Sequence, residues 1–575
     1  MRTETKLVAI VLLIGWGAFV IGTFAISAFV FDVGDGAVSD RFTGDEPDWG
    51  IVSEQDRTLR FENVTERAGL TYRSASSDGL EATQVMMGDA GVYVTDYDGD
   101  GTPDVLLVGG ERPILFENDD GSFVETDAVP EIDGTVRSAL FFDYDGDGSD
   151  DLLLLRMNDT PVLLANEGGN FEPVEGAFDD VLDVPMGAGA ADYTGNGCLD
   201  VFIIQNGDWH EDRPNGLRDY NVPPGEDNGN PNYLFRGDCS TFEKATDANV
   251  EGDRWSLATS FVDLTNDGNP DIHVANDFNN DVVYLNQGDG TFERVELGEA
   301  TNRNGMSSTV NDLTGNGYND IFVTNVWFPA FVQDRMDATT FEIRARGNNL
   351  LLNEGDGSFE EVALEYDVER GGWGWAAVLE DLTNDGELDV VHTTRHMTFE
   401  FSDRRFSPDE IETLHSTYPF YRYPAVWEGT ENGFEPLDAA ETGFDVTDGR
   451  GIAELDVNGN GKLDLLIANN DGAFVLYENR AESGNSVILE LERNESVPAN
   501  GARVDVMTDE KTYHRTVHSN SDYLSQGDRR VHVGVGDAES VTIEVTWPDQ
   551  TTHRFEDVPT DGSYVIDPSG SIDER

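Results

Sequence analysis

Short apolar runs separated by polar, glycine-containing turns recur along most of the chain. Runs such as VLLV (105–108), LLLL (152–155) and VFII (201–204) each follow an aspartate-rich loop, and segments such as AGVYVT (90–95) precede the loops. Apolar runs of this length bounded by turn residues are typical of buried strands. We therefore expect each loop to join the two strands of a β-hairpin.

A second motif follows each of the first six hairpins, with the form of a strand, a turn and a phenylalanine-led strand. Examples are LFENDDGSF (115–123), LLANEGGNF (163–171), YLNQGDGTF (284–292) and LLNEGDGSF (351–359). Hairpin and motif together make a four-stranded unit, whose loop recurs seven times at intervals of 47 to 75 residues. Repeated four-stranded units are typical of β-propellers. The sequence predicts an all-β fold with a seven-bladed β-propeller over residues 58–482.

The seventh unit lacks its own fourth strand. No turn and phenylalanine-led strand follow FVLYENR (474–480), whereas LRFENVTERAGL (59–70), before the first loop, has this character. We expect the N-terminal segment to complete the last blade, which would close the ring and remove an exposed sheet edge.

The seven loops, numbered 1 to 7 in chain order, share the nine-residue frame first seen as DYDGDGTPD (96–104). Positions 1 and 9 are always Asp, position 6 is always Gly, and positions 3 and 5 carry Asp, Asn or Thr. Side-chain oxygens at positions 1, 3, 5 and 9, with a backbone carbonyl at position 7, form the oxygen shell that Ca²⁺ prefers. Gly at position 6 permits the positive φ of a tight turn. Position 12 carries no Glu, so the loops are not EF-hands.

We expect up to seven bound Ca²⁺ ions, each held by four side chains. The predicted ligands are, loop by loop, Asp96, Asp98, Asp100, Asp104; Asp143, Asp145, Asp147, Asp151; Asp192, Thr194, Asn196, Asp200; Asp263, Thr265, Asp267, Asp271; Asp312, Thr314, Asn316, Asp320; Asp381, Thr383, Asp385, Asp389; Asp456, Asn458, Asn460 and Asp464. Since charge count tunes affinity, loops 1 and 2, with four carboxylates each, should bind Ca²⁺ most tightly.

The overall composition offers an alternative explanation for acidic loops. The chain has 113 Asp and Glu against 36 Lys and Arg, for a net charge of −77. This excess argues against a nucleic-acid partner. A folded, lysine-poor chain of this acidity resembles the proteins of extreme halophiles, in which high salt screens self-repulsion. General acidity would not fix the glycine or exchange Asp only for other oxygen donors, so the frame favours metal binding.

The N-terminal region predicts a location. Residues 7–31 contain no ionisable side chain and follow Arg2 and Lys6, which indicates a single transmembrane helix with the N-terminus in the cytoplasm. Residues 1–6 are then a cytoplasmic tail, residues 32–57 an acidic linker, and the bulk of the chain lies outside the cell. The alternative is a cleaved signal peptide and a secreted protein.

The aspartate-rich loops and the phenylalanine–glycine motifs resemble FG-GAP repeats, the integrin α-chain type also called VCBS. NGARVDV (500–506), SDYLSQGDRRVHVGVGD (521–537) and VTIEVTWPDQTTHRFEDVP (541–559) resemble an ASPIC/UnbV domain. Repeats followed by this domain are similar to the cartilage acidic protein family. The resemblance implies a propeller followed by a small β-rich domain at 483–569 and a tail at 570–575. It implies no chemistry for the small domain.

Three units carry insertions between their second and third strands, at 206–232, 327–348 and 394–425, on the face expected to lie opposite the loops. Candidate ligand-binding residues in these insertions are Trp209, His210, Trp327, Arg335, His396, Arg404 and Tyr421. Arginine and aromatic side chains favour an anionic or sugar-like partner, an extracellular protein or glycan. The alternative is that they pack on one another as a structural cap.

Two classes of function fit these features. The first is a non-catalytic binding or adhesion module in which Ca²⁺ is structural. The second is an extracellular enzyme acting on polysaccharide, a lyase or a hydrolase, in which His210, His392, His396 or His415 acts as acid or base. The chain has no nucleophile elbow, His-Glu zinc motif or glycine-rich phosphate loop, which favours the binding module.

The two cysteines fall in one unit. Cys198 is position 7 of loop 3, and Cys239 lies in the turn before the fourth strand of the same unit. Both turns are expected on one face of a blade, and an extracellular compartment is oxidising, so the sequence predicts a disulfide. The alternative is two unrelated free thiols.

Overall fold

Each nine-residue loop joins two antiparallel strands. Thr95 pairs with Asp104 across loop 1, and the hairpin continues to the pair Gly91 and Val108. The computed structural model describes residues 59–74, 90–110, 112–207, 229–250, 252–298, 300–333, 345–396, 406–445, 448–470, 472–482, 484–493 and 497–575. The chain separates into two compact units, Met1–Asp48 and Trp49–Arg575, and all described residues belong to the second.

Seven antiparallel sheets, numbered by the loop that each contains, hold most of the described strands before residue 480. From the first strand outward, their strands are Gly91–Thr95, Asp104–Val108, Ile114–Asp119 and Ser122–Glu125 in sheet 1; Val136–Phe142, Asp151–Arg156, Val162–Asn166 and Phe171–Pro173 in sheet 2; Pro185–Ala191, Asp200–Gln205, Tyr233–Gly237 and Phe242–Lys244 in sheet 3; Asp253–Val262, Asp271–Asp277, Val282–Asn286 and Phe292–Glu296 in sheet 4; Thr309–Asn311, Asp320–Val323, Asn349–Asn353 and Phe359–Glu361 in sheet 5; Gly374–Glu380, Asp389–Thr394, Ala425–Thr430 and Gly433–Leu437 in sheet 6; and Gly449–Leu455, Asp464–Asn469, Val475–Asn479 and Phe61–Asn63 in sheet 7.

The sheets follow one another in a propeller-like arrangement. Within sheets 1 to 4 and within sheets 5 to 7, the first strand of each sheet contacts the first strand of the next, and the first strand of sheet 7 contacts that of sheet 1. Between sheets 4 and 5, Ser260 Oγ donates at 2.6 Å to the backbone oxygen of Ser308, the residue directly before the first strand of sheet 5. Apolar side chains fill the space between neighbouring sheets, as Leu106, Phe141 and Leu152 do between sheets 1 and 2. Phe61–Asn63 pairs with Val475–Asn479. The prediction that an N-terminal strand completes the last sheet is therefore confirmed.

The C-terminal region forms two four-stranded sheets packed over a common core. One contains Val531–Gly536, Asn485–Leu491, Gly562–Ile566 and Ile572–Glu574, and the other contains Thr512–Thr516, Arg503–Met507, Ser540–Thr546 and Thr552–Pro559. Their inward-facing residues include Val487, Val504, Ile543 and Trp547. The predicted tail, 570–575, includes the edge strand Ile572–Glu574 of the first sheet.

Residues 519–528, which we call the plug segment, connect this domain to all seven sheets. The segment contains two short strands, Ser519–Asn520 and Ser525–Gln526, which pair with the first strands of sheets 3 and 1. Its hydrogen bonds with sheets 1 to 7 in order include Val92 N to Leu524 O (3.1 Å), Phe141 N to Gln526 Oε1 (2.8 Å), Ala188 N to Ser521 Oγ (2.7 Å), Phe261 N to Asn520 Oδ1 (2.8 Å), Ser308 N to Asp522 Oδ1 (2.7 Å), Ala377 N to Asp522 Oδ2 (2.9 Å) and Asp528 N to Glu454 O (3.1 Å).

The described helices are short. They are Thr65–Ala68, Ala330–Gln333, Pro408–Thr417 and Ala439–Thr442, with a 3₁₀ turn at Pro419–Tyr421. The predicted cytoplasmic tail 1–6, membrane anchor 7–31 and linker 32–57 lie outside the described residues. Within the described part of the chain, no helix has the length and apolar character needed to cross a membrane. The prediction of a single-pass membrane protein is wrong on this finding.

Candidate metal centres

The aspartates of loop 1 organise the loop through hydrogen bonds to its backbone. Asp96 Oδ2 accepts from Gly101 N at 2.9 Å, and Asp100 Oδ1 accepts from Thr102 N at 2.8 Å. Asp104 is almost fully buried and accepts from Tyr97 N at 3.3 Å through Oδ2 and from Asn118 N at 2.8 Å through Oδ1. Position 9 therefore ties the loop to the third strand of its own sheet.

The same hydrogen bonds recur in every loop. The Gly at position 6 donates to the Asp at position 1 at 2.7 to 3.1 Å in all seven. Position 9 accepts from the backbone of position 2 at 2.8 to 3.3 Å, and from the third strand at 2.6 to 2.8 Å. The glycine at position 6 has φ between 78° and 96°, a conformation that other residues rarely adopt. The seven loops thus share one backbone structure.

Three carboxylates converge in loops 1 and 2. One oxygen each of Asp96, Asp98 and Asp104 lie within 4.8 Å of one another, and the same holds for Asp143, Asp145 and Asp151. Asp96 Oδ1 is buried and accepts no hydrogen bond from the described residues. A donor set made only of oxygen atoms fits a hard cation such as Ca²⁺. These residues could therefore hold the ion that the sequence predicts.

Burial makes the position-9 carboxyls hard to ionise without a cation. It raises the pKa of Asp104 and Asp151 to about 8, and the pKa of Asp200, Asp271 and Asp320 to about 7. Burial also raises the pKa values of Asp389 and Asp464 well above the ordinary range. A nearby cation favours the ionised form and opposes this shift.

Asparagine side chains link five loops to a neighbouring sheet, a feature that the sequence analysis missed. Asn166, at the end of the third strand of sheet 2, donates to Tyr97 O in loop 1 at 2.7 Å. Equivalent bonds are Asn118 to Val457 O, Asn286 to Tyr193 O, Asn353 to Leu264 O and Asn479 to Leu382 O. The signal was present in the sequence, because each asparagine stands just before the turn that precedes a phenylalanine-led strand or, in sheet 7, at the corresponding strand end.

Loop 3 has a covalent link as well. Cys198 and Cys239 form a disulfide with a Cα–Cα distance of 5.2 Å and a sequence separation of 41 residues. The bond connects loop 3 to the turn before the fourth strand of the same sheet. The hairpin and the outer strand pair of sheet 3 are thus joined at one end.

The candidate ligand-binding residues divide into two groups. Trp209, His210, Arg335 and Arg404 lie outside the described residues. Trp327 and Tyr421 are buried in an aromatic cluster with Tyr418 and Phe420, and Tyr421 Oη donates to Trp327 O at 3.2 Å. His396 is half-buried, with its ring centroid 5.6 Å from that of His415. The two described aromatic candidates therefore pack against other aromatic side chains.

Two protein-family profiles match this chain, one in the repeat region and one in the C-terminal domain. An FG-GAP-like repeat profile matches residues 96–154, 143–203, 263–323 and 339–392, and the ASPIC and UnbV profile matches residues 492–573. The chain thus contains FG-GAP-like repeats followed by a region that matches the ASPIC and UnbV profile. The resemblance identified from the sequence is confirmed.

The chain is similar to curated relatives at low identity. The chain is 24% identical over 301 residues to cartilage acidic protein 1 of Xenopus tropicalis, which covers 44% of this chain and 43% of that protein. It is 23% identical over 298 residues to cartilage acidic protein 1 of Homo sapiens, with 44% and 42% covered. The chain thus spans less than half the length of these relatives.

Proposed function

We propose that this protein is a non-catalytic binding module in which Ca²⁺ ions brace the blades of a seven-bladed β-propeller. The observation that carries the proposal is the shared backbone structure of the seven loops, together with the convergence of three carboxylates in loops 1 and 2. The extracellular-type character of FG-GAP repeats and the ASPIC/UnbV domain supports a binding or adhesion role.

The arrangement of the sheets supports the count of seven blades. Each described sheet before residue 480 contains one nine-residue loop between its first and second strands. The sheets contact one another in chain order near their first strands, and Phe61–Asn63 provides the outer strand of the last sheet. Strand exchange of this kind joins the first and last parts of the ring and leaves no open edge there.

The proposed metal ligands are the side chains at positions 1, 3, 5 and 9 of each loop. When bound, Ca²⁺ would supply positive charge that offsets repulsion between the carboxylates. Asp104 and its equivalents already connect the loop to the third strand, and Asp96 and its equivalents fix the turn at the glycine. Ligation by these residues would stiffen the hairpin and its attachment to the rest of the blade.

The described histidines support a non-catalytic role. His392 is fully buried, Asn348 Nδ2 lies 3.2 Å from its Nε2, and burial lowers its pKa to about 4. His415 is buried and accepts from Arg422 Nε at 2.9 Å. His392 lies in the second strand of sheet 6 and His415 in the helix of the insertion that follows this strand, and the contacts hold both rings inside the protein. The relatives, moreover, carry the name of an acidic protein of cartilage and not that of a reaction.

Thermal unfolding with and without metal tests the Ca²⁺ proposal. Protein stripped of metal by a chelator should melt at a lower temperature, and added Ca²⁺ should restore the melting temperature. A single site at a hundredfold excess of Ca²⁺ over its Kd adds about 2.7 kcal/mol to the free energy of unfolding. The double variant Asp98→Ala/Asp145→Ala should show a smaller Ca²⁺-dependent shift. A melting curve that responds to neither chelator nor Ca²⁺ would contradict the proposal.

The partner is proposed to be an extracellular protein or glycan, and a direct binding screen tests this. The full chain, loaded with Ca²⁺, is applied to arrays of glycans and peptides, and the same preparations are assayed for turnover of polysaccharides. Saturable binding without product formation is the expected result. Release of unsaturated or hydrolysed oligosaccharides would instead establish the enzyme alternative.

A further inference from the structure

The C-terminal domain places arginines against the two most acidic loops. Arg493 Nε lies 3.5 Å from Asp143 Oδ2 in loop 2, and Arg575 Nη1 lies 3.6 Å from Asp96 Oδ2 in loop 1. Asp143 and Asp96 are the position-1 aspartates, which the proposed function assigns as Ca²⁺ ligands. The Arg493 side chain is only 6% exposed, so its charge is poorly screened by water.

These contacts differ from the other basic contacts that the domain makes with the loops. Arg530 Nη1 donates to the backbone oxygen of Gly101 at 3.0 Å, and Arg529 pairs with Asp150, which is position 8. Lys511 pairs with Glu387, which is position 7 of loop 6. Of the ion pairs among described residues, those of Arg493 and Arg575 are the ones that reach a position-1 carboxylate.

A cavity lies beside both loops and gives the arginine room to move. It has a volume of about 190 Å³ and is lined by Asp98, Asp143, Glu492 and Arg493, among others. Space of this size accommodates a different rotamer of a long side chain. The guanidinium of Arg493 therefore has a place to go if a second cation approaches Asp143.

We propose that Arg493 and Arg575 compete with Ca²⁺ for the position-1 carboxylates of loops 2 and 1, so that the C-terminal domain lowers the Ca²⁺ affinity of these loops. The inference rests on the Ca²⁺ binding proposed above. Two cations drawn to one carboxylate repel each other, and an ion pair must weaken before the metal gains full use of that ligand. The Ca²⁺ affinities of the seven loops should then differ less than their carboxylate counts predict.

The competition also links the metal to the position of the domain. Each Ca²⁺ bound in loop 1 or 2 weakens one ion pair between the propeller and the C-terminal domain. By thermodynamic reciprocity, any contact that draws these arginines away from the loops raises the affinity for Ca²⁺ by the same factor. The domain thus acts as a regulator of two of the metal sites.

Calorimetric titration of the metal-stripped full chain with Ca²⁺ tests the proposal. Arg493→Gln should tighten binding at loop 2, and Arg575→Gln at loop 1, each by about tenfold, a rough figure for removing a like charge near a divalent ion at a protein surface. Arg493→Lys keeps the charge and should stay near the wild-type affinity. Arg554→Gln is the matched control, because Arg554 pairs with Glu544 within the C-terminal domain.

A double-mutant cycle assigns the effect to its loop. The gain from Arg493→Gln should disappear in an Asp145→Ala background, where loop 2 already lacks a proposed ligand. Circular dichroism and a thermal melt of each variant show that it is folded. One outcome is that the wild type binds Ca²⁺ and Asp145→Ala weakens binding, but Arg493→Gln leaves the Ca²⁺ affinity unchanged or lowers it. This outcome refutes the proposed competition and leaves the proposed Ca²⁺ binding intact. If neither the wild type nor any variant binds Ca²⁺, the proposed function is refuted with it.

Discussion

Loops 2 and 3 have the same backbone structure but very different charge. Loop 2 has aspartate at positions 1, 3, 5 and 9, whereas loop 3 has Thr194 at position 3 and Asn196 at position 5. In both loops the glycine at position 6 donates to the aspartate at position 1, at 3.1 Å in loop 2 and 2.7 Å in loop 3. The donor at position 7 reaches the side-chain oxygen at position 5, Asp147 or Asn196, at 2.8 and 2.7 Å.

The comparison indicates that the backbone structure and the charge of a loop depend on different features of its nine residues. Positions 1, 6 and 9 determine the backbone together with the side-chain oxygen at position 5, which Asp and Asn both supply, because the hydrogen bonds of these groups are present in every loop. Positions 3 and 5 can exchange a carboxylate for an amide or, at position 3, a hydroxyl without changing that backbone, so they are free to set the charge. We therefore expect seven sites with one backbone structure and graded affinity for Ca²⁺.

Loss of a position-9 aspartate should have the largest effect. Asp104→Ala leaves two buried backbone donors, Tyr97 N and Asn118 N, without their acceptor, which costs about 2–5 kcal/mol of the free energy of unfolding. Asp98→Ala, at exposed position 3, should change it by less than about 0.5 kcal/mol. The measurement is urea unfolding in the presence of a chelator, so that metal plays no part. Equal decreases in the free energy of unfolding of the two variants would contradict the idea that position 9 stabilises the backbone and position 3 does not.

The disulfide of loop 3 should contribute next. Replacing both cysteines, as Cys198→Ser/Cys239→Ser, removes a crosslink between residues 41 apart and should lower the free energy of unfolding by about 4 kcal/mol in the chain-entropy model. Unfolding of the variant is compared with that of the wild type before and after reduction. Reduced wild type should behave as the variant does. Two titratable thiols per chain in unfolded, unreduced protein would contradict the crosslink.

Charge at positions 3 and 5 should affect metal binding more than stability. Asp98→Ala in loop 1 removes a carboxylate, whereas Asn316→Ala in loop 5 removes an amide oxygen. Because charge count tunes Ca²⁺ affinity, we expect a loss of about tenfold or more at loop 1 and a smaller loss at loop 5. Calorimetric titration of the two variants measures both. A larger loss for Asn316→Ala would reverse the expected order of the sites.

Asp281, a buried aspartate outside the loops, should make the stability of the protein depend on pH. Burial raises the pKa of Asp281 to about 8, above the value of about 3.9 for an unfolded chain. The folded state therefore holds a proton between these values, so this group's contribution to stability is greatest at low pH and falls as the pH rises to about 8.

Asp281→Asn should remove that dependence while keeping an oxygen acceptor for Asn276 N, which now bonds to Asp281 Oδ1 at 2.9 Å. Urea unfolding of both proteins at pH 5 and pH 8.5, at constant Ca²⁺, should show the variant gaining stability relative to the wild type at the higher pH. Asp120→Asn serves as the matched control, since Asp120 is exposed and lies outside the nine-residue loops. A difference that does not change with pH would refute the assignment to Asp281.

The sequence predicted the loops and the closing strand because their interactions are short-range or repeated. The bonds from position 1 to 6 and from position 2 to 9 lie within nine residues, and the strand at Phe61 was found from the strand missing after residue 480. The role of Asn118 and its equivalents could also have been predicted, since an asparagine occupies the same position at a strand end in five repeats. Aligning the repeats with one another would have shown it.

The contacts of the C-terminal domain could not be predicted in the same way. Asn520, Asp522 and Gln526 bond to strands more than 140 residues away in sequence, and nothing periodic in the chain indicates these partners. In the sequence, nothing distinguishes Arg493 and Arg575 from other basic residues. Only the folded C-terminal domain places Arg493 at loop 2 and Arg575 at loop 1. Interactions that occur once leave no repeat from which to recognise them.

The plug segment has a consequence for biosynthesis. Backbone groups on the first strands of sheets 1 to 4 and 6, and on Ser308 directly before the first strand of sheet 5, bond to residues 520–526. These residues are translated after every strand of the seven sheets. Until these residues leave the ribosome, those groups have no partner from the plug and face solvent. A nascent chain halted before residue 519 should therefore lack these hydrogen bonds, which form only after residues 520–526 have been synthesised.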